Sequence, residues 1–259
     1  MKKISKKTIQ INKITINWYQ STEISQEKTS LLFVHGIASQ ARHWLDLVDN
    51  LIGDYNIYII DRPGYGESDG IEFCKMDSYC NILEEIIEGL NIITPYIYIG
   101  HSLGSYLGLK LALRSNNIKK LILIAPFTHY TVSSKMLTDS SYCKLTVYNS
   151  SYNSFFQGVD NGILEKFRGD IKLMDENVIH NDFCMIDEDA ISDKELGEVN
   201  ISTIAIHALD DRVISVRKVM QMQKHMKKCK VFTIKLGGHN LYISSPQDTN
   251  KLIENCIVE

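Results

Sequence analysis

One serine stands between two glycines in Gly100-His101-Ser102-Leu103-Gly104, directly after the apolar run Tyr96-Ile97-Tyr98-Ile99 and directly before the helical pattern "SYLGLKLAL". These five residues would also serve as an ordinary turn. A sharp strand-to-helix bend accounts for the glycines better. It presses the flanking backbones together two positions before and two after the serine, where a side chain would collide. Such a bend presents Ser102 at the C-terminal end of its strand. The next N–H, on Leu103, then lies at a helix N-terminus, where unpaired donors and the helix dipole favour an oxyanion. A serine hydroxyl is a weak nucleophile near neutral pH and needs a neighbouring base.

Among the downstream histidines, His239 in "LGGHNLY" follows the apolar run "KVFTIKL" and so falls on a loop after a strand. His225 lies in a Lys-rich helical pattern, His207 inside a strand-like run, and His180 in a long interval without strands. His239 is the expected base. The carboxylate that orients it belongs on a loop after the preceding strand, where "HALDDRVIS" offers both Asp210 and Asp211. A second oxyanion donor is expected on an earlier strand-following loop, "HGIA", as the backbone N–H of Ile37. His35 in that loop reads as a hydrogen bonder bracing the turn. The Gly/Pro segment "DRPGYGESDG" (residues 61–70) reads as a turn shaping the floor of the site, and it lacks the G-K-S/T of a phosphate loop.

The elements that must position these residues recur as short apolar runs followed by helical patterns. "LLFVHG" precedes "ARHWLDLVDNLI", "NIYIID" precedes "DSYCNILEEIIEGL", and "KKLILIA" ends at Pro126. "ISTIAIHA" precedes "VRKVMQMQKHM", and "KVFTIKL" precedes "QDTNKLIENCI". Runs without polar alternation suit strands covered on both faces, and strand–helix alternation predicts a mostly parallel sheet of the α/β class. "TIQINKITINWYQ" does alternate and predicts one or two antiparallel strands at an edge. Between Phe127 and Gly197 no strong strand is found, an interval far beyond ordinary loop length. Its segments "SYNSFFQGVDNGILEKF" and "ENVIHNDFCMID" read as helices of an inserted cap. Its aromatics Tyr142, Tyr148, Tyr152, Phe155 and Phe156 are candidates for a cavity lining, although most are expected in the cap's own core; Phe155 and Phe156 are the candidate substrate contacts.

The chain of 259 residues is 44% hydrophobic and 23% charged, with a net charge of -3 at pH 7. That balance offers no footprint for nucleic acid. The basic start "MKKISKK" leads into no continuous apolar core, and no run approaches a membrane span, so neither a signal peptide nor stable membrane insertion is expected. The six cysteines show no C-x-x-C and no zinc-type spacing, so no metal site is expected and the thiols read as reduced. The expectation is a cytoplasmic protein; its oligomeric state is left open.

Together "HGIAS", "DRPGYGESDG", "GHSLGS", "LDDRV" and "GGHN" resemble the α/β-hydrolase superfamily, in the branch with a helical cap after the sixth strand. The resemblance spans most of the chain in the right order, apart from the cap. It implies a doubly wound, eight-stranded, mostly parallel sheet, with a core of residues 1–126 and 198–259 and a helical cap of residues 127–197. It implies a triad in the order Ser102, acid, His239, and no cofactor. The family spacing (a small residue, two variable residues, Asp, then an apolar pair) fits Ala208 to Asp211 followed by Val213-Ile214. It therefore favours Asp211, leaving Asp210 as a turn or capping residue. A serine rather than an aspartate at the bend speaks against haloalkane dehalogenases and epoxide hydrolases. One departure is "NIST" (residues 200–203), where relatives often carry a proline. The implied activity is hydrolysis of a small-molecule acyl substrate, an ester or thioester, through an acyl-enzyme. Carbon–carbon hydrolase or lyase chemistry on the same triad, or a non-hydrolytic small-molecule sensor, are the alternatives, because fold does not fix chemistry.

Overall fold

The central apolar runs are strands with both faces covered, and alternate residues enter different cores, whereas "KVFTIKL" forms a partly exposed strand at the sheet edge. The computed structural model describes residues 3–72, 74–156 and 158–258, with only the backbone of Asn153. Strands β3 (Ser30–Val34), β4 (Asn56–Ile60) and β5 (Tyr96–His101) are buried at every position. Leu31, Phe33, Ile57, Ile59, Ile97 and Ile99 pack into one hydrophobic cluster, whereas Leu32, Val34, Tyr58, Ile60 and Tyr98 pack into the other. The period of two along a strand thus divides continuous apolar runs between two layers of helices.

The remaining strands are β1 (Ile4–Ile11), β2 (Ile14–Ser21), β6 (Ile118–Ile124), β7 (Ser202–Ala208) and β8 (Cys229–Ile234). Among the described residues they form one eight-stranded sheet in the order β1-β2-β4-β3-β5-β6-β7-β8. The β1–β2 and β2–β4 pairings are antiparallel and all others parallel. The alternating N-terminal segment is therefore an antiparallel edge hairpin, as its pattern predicts. Helices α1 (Leu45–Val48), α10 (Leu241–Ser244) and α11 (Pro246–Val258) cover one face, and α2 (Met76–Gly89), α3 (Leu103–Ala112) and α9 (Val216–His225) cover the other. No helix among the described residues is long and apolar enough to cross a membrane.

Between β6 and β7 lie α4 (Ser134–Thr138), α5 (Ser140–Ser150), α6 (Asn161–Leu173), α7 (Glu176–Asp187) and α8 (Asp193–Glu198). This insertion shares a hydrophobic cluster with the sheet's helices: Ile179, Phe183 and Ile186 join Leu103, Tyr106 and Phe127.

Three local expectations change. "ARHWLDLVDNLI" is a 3₁₀ turn (Ala41–Trp44) followed by the single turn α1. Its start is held by the Asp61 carboxylate, which accepts the Ala41 N–H at 2.6 Å, while buried Trp44 stacks on Tyr242 at 4.2 Å between ring centroids. "SYNSFFQGVDNGILEKF" is two pieces. Ser151–Phe155 is a π-helical turn continuing α5, and α6 begins only where Asp160 caps the Gly162 N–H; Gln157 lies outside the described residues. The tyrosines do not build a core within the insertion. The Arg168 guanidinium lies over both Tyr148 and Tyr152, at 3.7 and 3.4 Å, and Tyr152 remains half exposed. A tyrosine keeps its hydroxyl wet at the surface while its ring face meets a cation.

Candidate active site

Ser102 sits between β5 and α3 with φ 52° and ψ -116°. Left-handed φ costs a non-glycine residue on the order of 1–3 kcal/mol and persists only when the surroundings enforce it. Here the Ser102 N–H donates to the Ile124 carbonyl at 2.9 Å. The Ser105 hydroxyl bridges the Gly100 and Ile124 carbonyls at 2.7 and 2.9 Å. A Cβ on Gly100 would lie 2.4 Å from the Gly104 carbonyl oxygen, and one on Gly104 would lie 2.2 Å from that of Val34. Both glycines are therefore required by close approach. Leu103 begins α3, so its N–H has no acceptor in the preceding turn of its own helix.

His239 lies on the loop between β8 and α10, its Nε2 2.9 Å from Ser102 Oγ and its Nδ1 2.9 Å from Asp211 Oδ2. With Nδ1–H donating to the carboxylate, Nε2 is the nitrogen left to accept the serine proton. The other Asp211 oxygen accepts the N–H groups of Val213 and Ile214 at 2.7 and 3.0 Å. Burial alone would raise the Asp211 pKa. The adjacent His239, through charge and hydrogen bond, and the Ile214 N–H outweigh burial and hold it below the ordinary carboxylate value.

Asp210 is more than the turn or capping residue that its position suggests. Its carboxylate accepts the N–H groups of Gly237 and Gly238, both at 3.0 Å, and so ties the acid loop to the loop carrying His239. Two carbonyls of the insertion's π-helical turn hold the same loop: Ser154 accepts from the His239 N–H at 3.4 Å and Phe155 from the Asn240 N–H at 2.8 Å. The other downstream histidines fall elsewhere, among them His129, whose Nε2 lies 3.1 Å from the Thr131 hydroxyl. His180 approaches the Leu137 carbonyl, His225 faces Asp193 at the surface, and His207 is buried under the acid loop, 2.9 Å from the Ile214 carbonyl.

His101, the residue before Ser102, escaped the sequence reading. Its Nε2–H donates to the His239 carbonyl at 3.0 Å. Burial, with His239 beside it, pushes its pKa down from 6.5 to about 3. It therefore stays neutral in the folded chain while the unfolded chain takes up a proton near 6.5. Its contribution is intact above that pH and is lost progressively as pH falls from 6.5 towards 3, with a slope approaching about 1.4 kcal/mol per pH unit. Denaturant unfolding at pH 7 and pH 5 should show this loss. His101→Gln, which keeps a donor but does not titrate, should reduce the loss by about 1–2 kcal/mol. An unchanged difference between the two pH values would refute the assignment.

The loop after β3 lies against the serine: a Cβ on Gly36 would come 2.9 Å from Ser102 Cβ. The Gly36 carbonyl points the other way, accepting from the Arg62 guanidinium at 3.1 Å and from His35 Nδ1–H at 2.8 Å. In a trans peptide the carbonyl and N–H point in opposite directions, so the Ile37 N–H faces away from Arg62. His35 Nε2 accepts the Arg62 backbone N–H at 3.0 Å, which leaves Nδ1 as the protonated nitrogen. Burial and the neighbouring Arg62 hold the His35 pKa well below the ordinary value. His35 thus braces the loop and does not reach the serine's partners.

A cavity of about 160 Å³ opens at Ser102 and His239, with Ile37, Phe127, Phe155, Val213, Ile214 and Arg212 on its wall. The Phe155 ring centroid is 6.0 Å from that of His239. Phe156, expected beside it as a substrate contact, is 3% exposed and packs edge-on against Phe167 at 4.9 Å. The chain is extended at Phe156 after the π-helical turn, which sends the two rings to different places. Among the described residues no group of three or more His, Cys, Asp or Glu side chains is arranged to hold a metal ion.

Known proteins resemble this chain in sequence and in fold. The chain is 31% identical over 116 residues to the pimeloyl-(acyl-carrier protein) methyl ester esterase of Vibrio atlanticus, covering 43% of this chain and 40% of that protein. It is 26% identical over 98 residues to the putative 2-succinyl-6-hydroxy-2,4-cyclohexadiene-1-carboxylate synthase of Haemophilus influenzae, covering 36% and 39%. The matches thus span about 40% of the length of these curated relatives. Among solved structures, the enol-lactonase of Burkholderia xenovorans superposes with a TM-score of 0.89 at 13% identity, covering 98% of this chain and all of the other. A thermophilic esterase superposes with 0.82 at 20% identity, covering 98% and 97%. At such identities these superpositions speak for the fold alone. The alpha/beta hydrolase fold model matches residues 29–246, which is most of the chain, and the chain belongs to that family.

Proposed function

We propose that this chain is a serine hydrolase that cleaves a small carboxylic ester through an acyl-enzyme. The observation that carries the reading is the pair of 2.9 Å contacts linking Ser102 to His239 and His239 to Asp211 at the foot of a cavity. His239 Nε2 takes the hydroxyl proton as Ser102 Oγ attacks the acyl carbon. The N–H groups of Ile37 and Leu103 receive the developing oxyanion, and Asp211 stabilises the imidazolium. The proton then passes to the leaving alkoxide, and water activated by the same imidazole releases the acid. Residues 127–197 act as a cap on a core of residues 1–126 and 198–259, and Phe155 contacts the acyl chain. Relatives named as methyl ester esterases support an ester with a small leaving alcohol. The relatives named as synthases support a second reading, a lyase using the same three side chains.

A panel of esters of graded acyl length separates these readings. A cavity of about 160 Å³ resembles the engineered cavity of about 150 Å³ that takes one benzene ring. The expected result is repeated turnover, with kcat/KM highest for acyl groups of roughly six carbons or fewer. Phe155→Ala should move the optimum towards longer chains with little loss of Tm. If no ester is turned over more than once, the hydrolase reading is wrong.

A further inference from the structure

A second polar centre lies behind the oxyanion loop, and the triad does not use it. Arg62 follows β4 and is fully buried. Its Nε–H donates to the His35 carbonyl at 3.0 Å, and one Nη2–H donates to the Gly36 carbonyl at 3.1 Å. The second Nη2–H reaches Asp182 Oδ2 at 2.7 Å, while the Nη1 protons reach the Tyr79 hydroxyl at 2.8 Å and Asp182 Oδ1 at 3.4 Å. All five guanidinium donors are engaged. Burial works against the charge on Arg62, and the Asp182 carboxylate more than restores it, raising the pKa well above the ordinary value. Tyr65 donates a further hydroxyl to Asp182 at 2.8 Å. Asp182 is on α7, inside the insertion, so its bond to Arg62 joins that insertion to the loop carrying the Ile37 N–H.

We infer that Arg62, fixed by Asp182 of the cap, is the positioning residue of the oxyanion loop, so that cap seating and oxyanion stabilisation are one event. The inference rests on the serine hydrolase reading. Arg62 holds two consecutive carbonyls of the loop, and the peptide it grips at Gly36 is the one whose opposite edge is the Ile37 N–H. A donor gains catalytic effect only when it is preorganised toward the place where charge develops, and small misplacements are costly. Lysine cannot substitute, because a point charge cannot hold two carbonyls and a carboxylate in one plane.

The test is the paired substitution Arg62→Met with Asp182→Leu, which removes both buried charges together; such replacements are often neutral for folding. With the ester substrate, kcat should fall by about 10- to 100-fold at little-changed KM. Affinity for a trifluoromethyl ketone, whose adduct on Ser102 places an oxyanion in the hole, should fall by a similar factor. The pH dependence of kcat/KM should not move. A folded double variant with native kcat and native ketone affinity overturns the inference. So does a loss of activity that disappears when rates are normalised to fluorophosphonate-titrated sites, since that is mere unfolding. If the double variant does not fold, Tyr65→Phe carries the test. It removes one bond to Asp182, and parallel losses of several-fold in kcat and ketone affinity are expected, with native values overturning the inference. Ser102→Ala keeps the two readings apart: turnover surviving that change refutes the hydrolase, whatever Arg62 does.

Discussion

Replacing Ser102 with Ala should lower ester turnover by about 10⁶-fold, the size of effect seen when a triad serine is removed. A fluorophosphonate should label the native chain once, at Ser102, and should leave the heat-unfolded chain unlabelled. Ser39 also has an imidazole nitrogen, His43 Nδ1, 2.9 Å from its Oγ, but it is buried against the Tyr242 hydroxyl. Ser102 Oγ instead meets His239 Nε2 at 2.9 Å on the cavity wall, beside the N-terminus of α3. Reactivity therefore belongs to the assembly and is lost with it. Peptide mapping of the label decides the matter: a label on any other serine, or equal labelling of unfolded chain, refutes the assignment.

Asp211→Asn should lower kcat by roughly 10⁴-fold, as removal of the orienting carboxylate does in serine triads. The amide offers His239 Nδ1 a poorer partner and no charge to match the imidazolium. Asp210 has a different consequence. Asp210→Asn keeps a carbonyl oxygen able to accept the Gly237 and Gly238 N–H groups, so its effect should stay within a few-fold. Asp210→Ala frees the loop that carries His239 and should cost about 10- to 100-fold. Steady-state rates for the three variants provide the check. If Asp210→Asn costs more than Asp211→Asn, the acid is Asp210 and the loop register is wrong.

Ser102, His239 and the sheet that carries them were legible because their signals are local. Two glycines flank the serine because two backbones meet there, and that requirement is written within five residues. Unbroken β-branched runs declare strands buried on both faces, and the alternating first segment declares an edge. The choice of Asp211 over Asp210 came through family spacing, and the structure sets Asp211 beside His239 Nδ1. Phe155 and Phe156 mark where local reading stops. Neighbours of the same type, one lines the cavity and the other packs on Phe167, because a π-helical turn ends between them.

The strands, the bend at Ser102 and the loop that carries His239 could be read from the chain alone, since each depends on residues within a few positions of one another. What Arg62, Asp182, His101 and Asp210 contact is set by the folded chain. Arg62 and Asp182 lie 120 positions apart, and His101 meets a carbonyl 138 positions away. A buried charge must find its partner wherever the chain folds back, because leaving it unpaired costs several kcal/mol. No periodicity or spacing records such a pairing. It exists only once the insertion between β6 and β7 has been laid across the sheet's C-terminal edge.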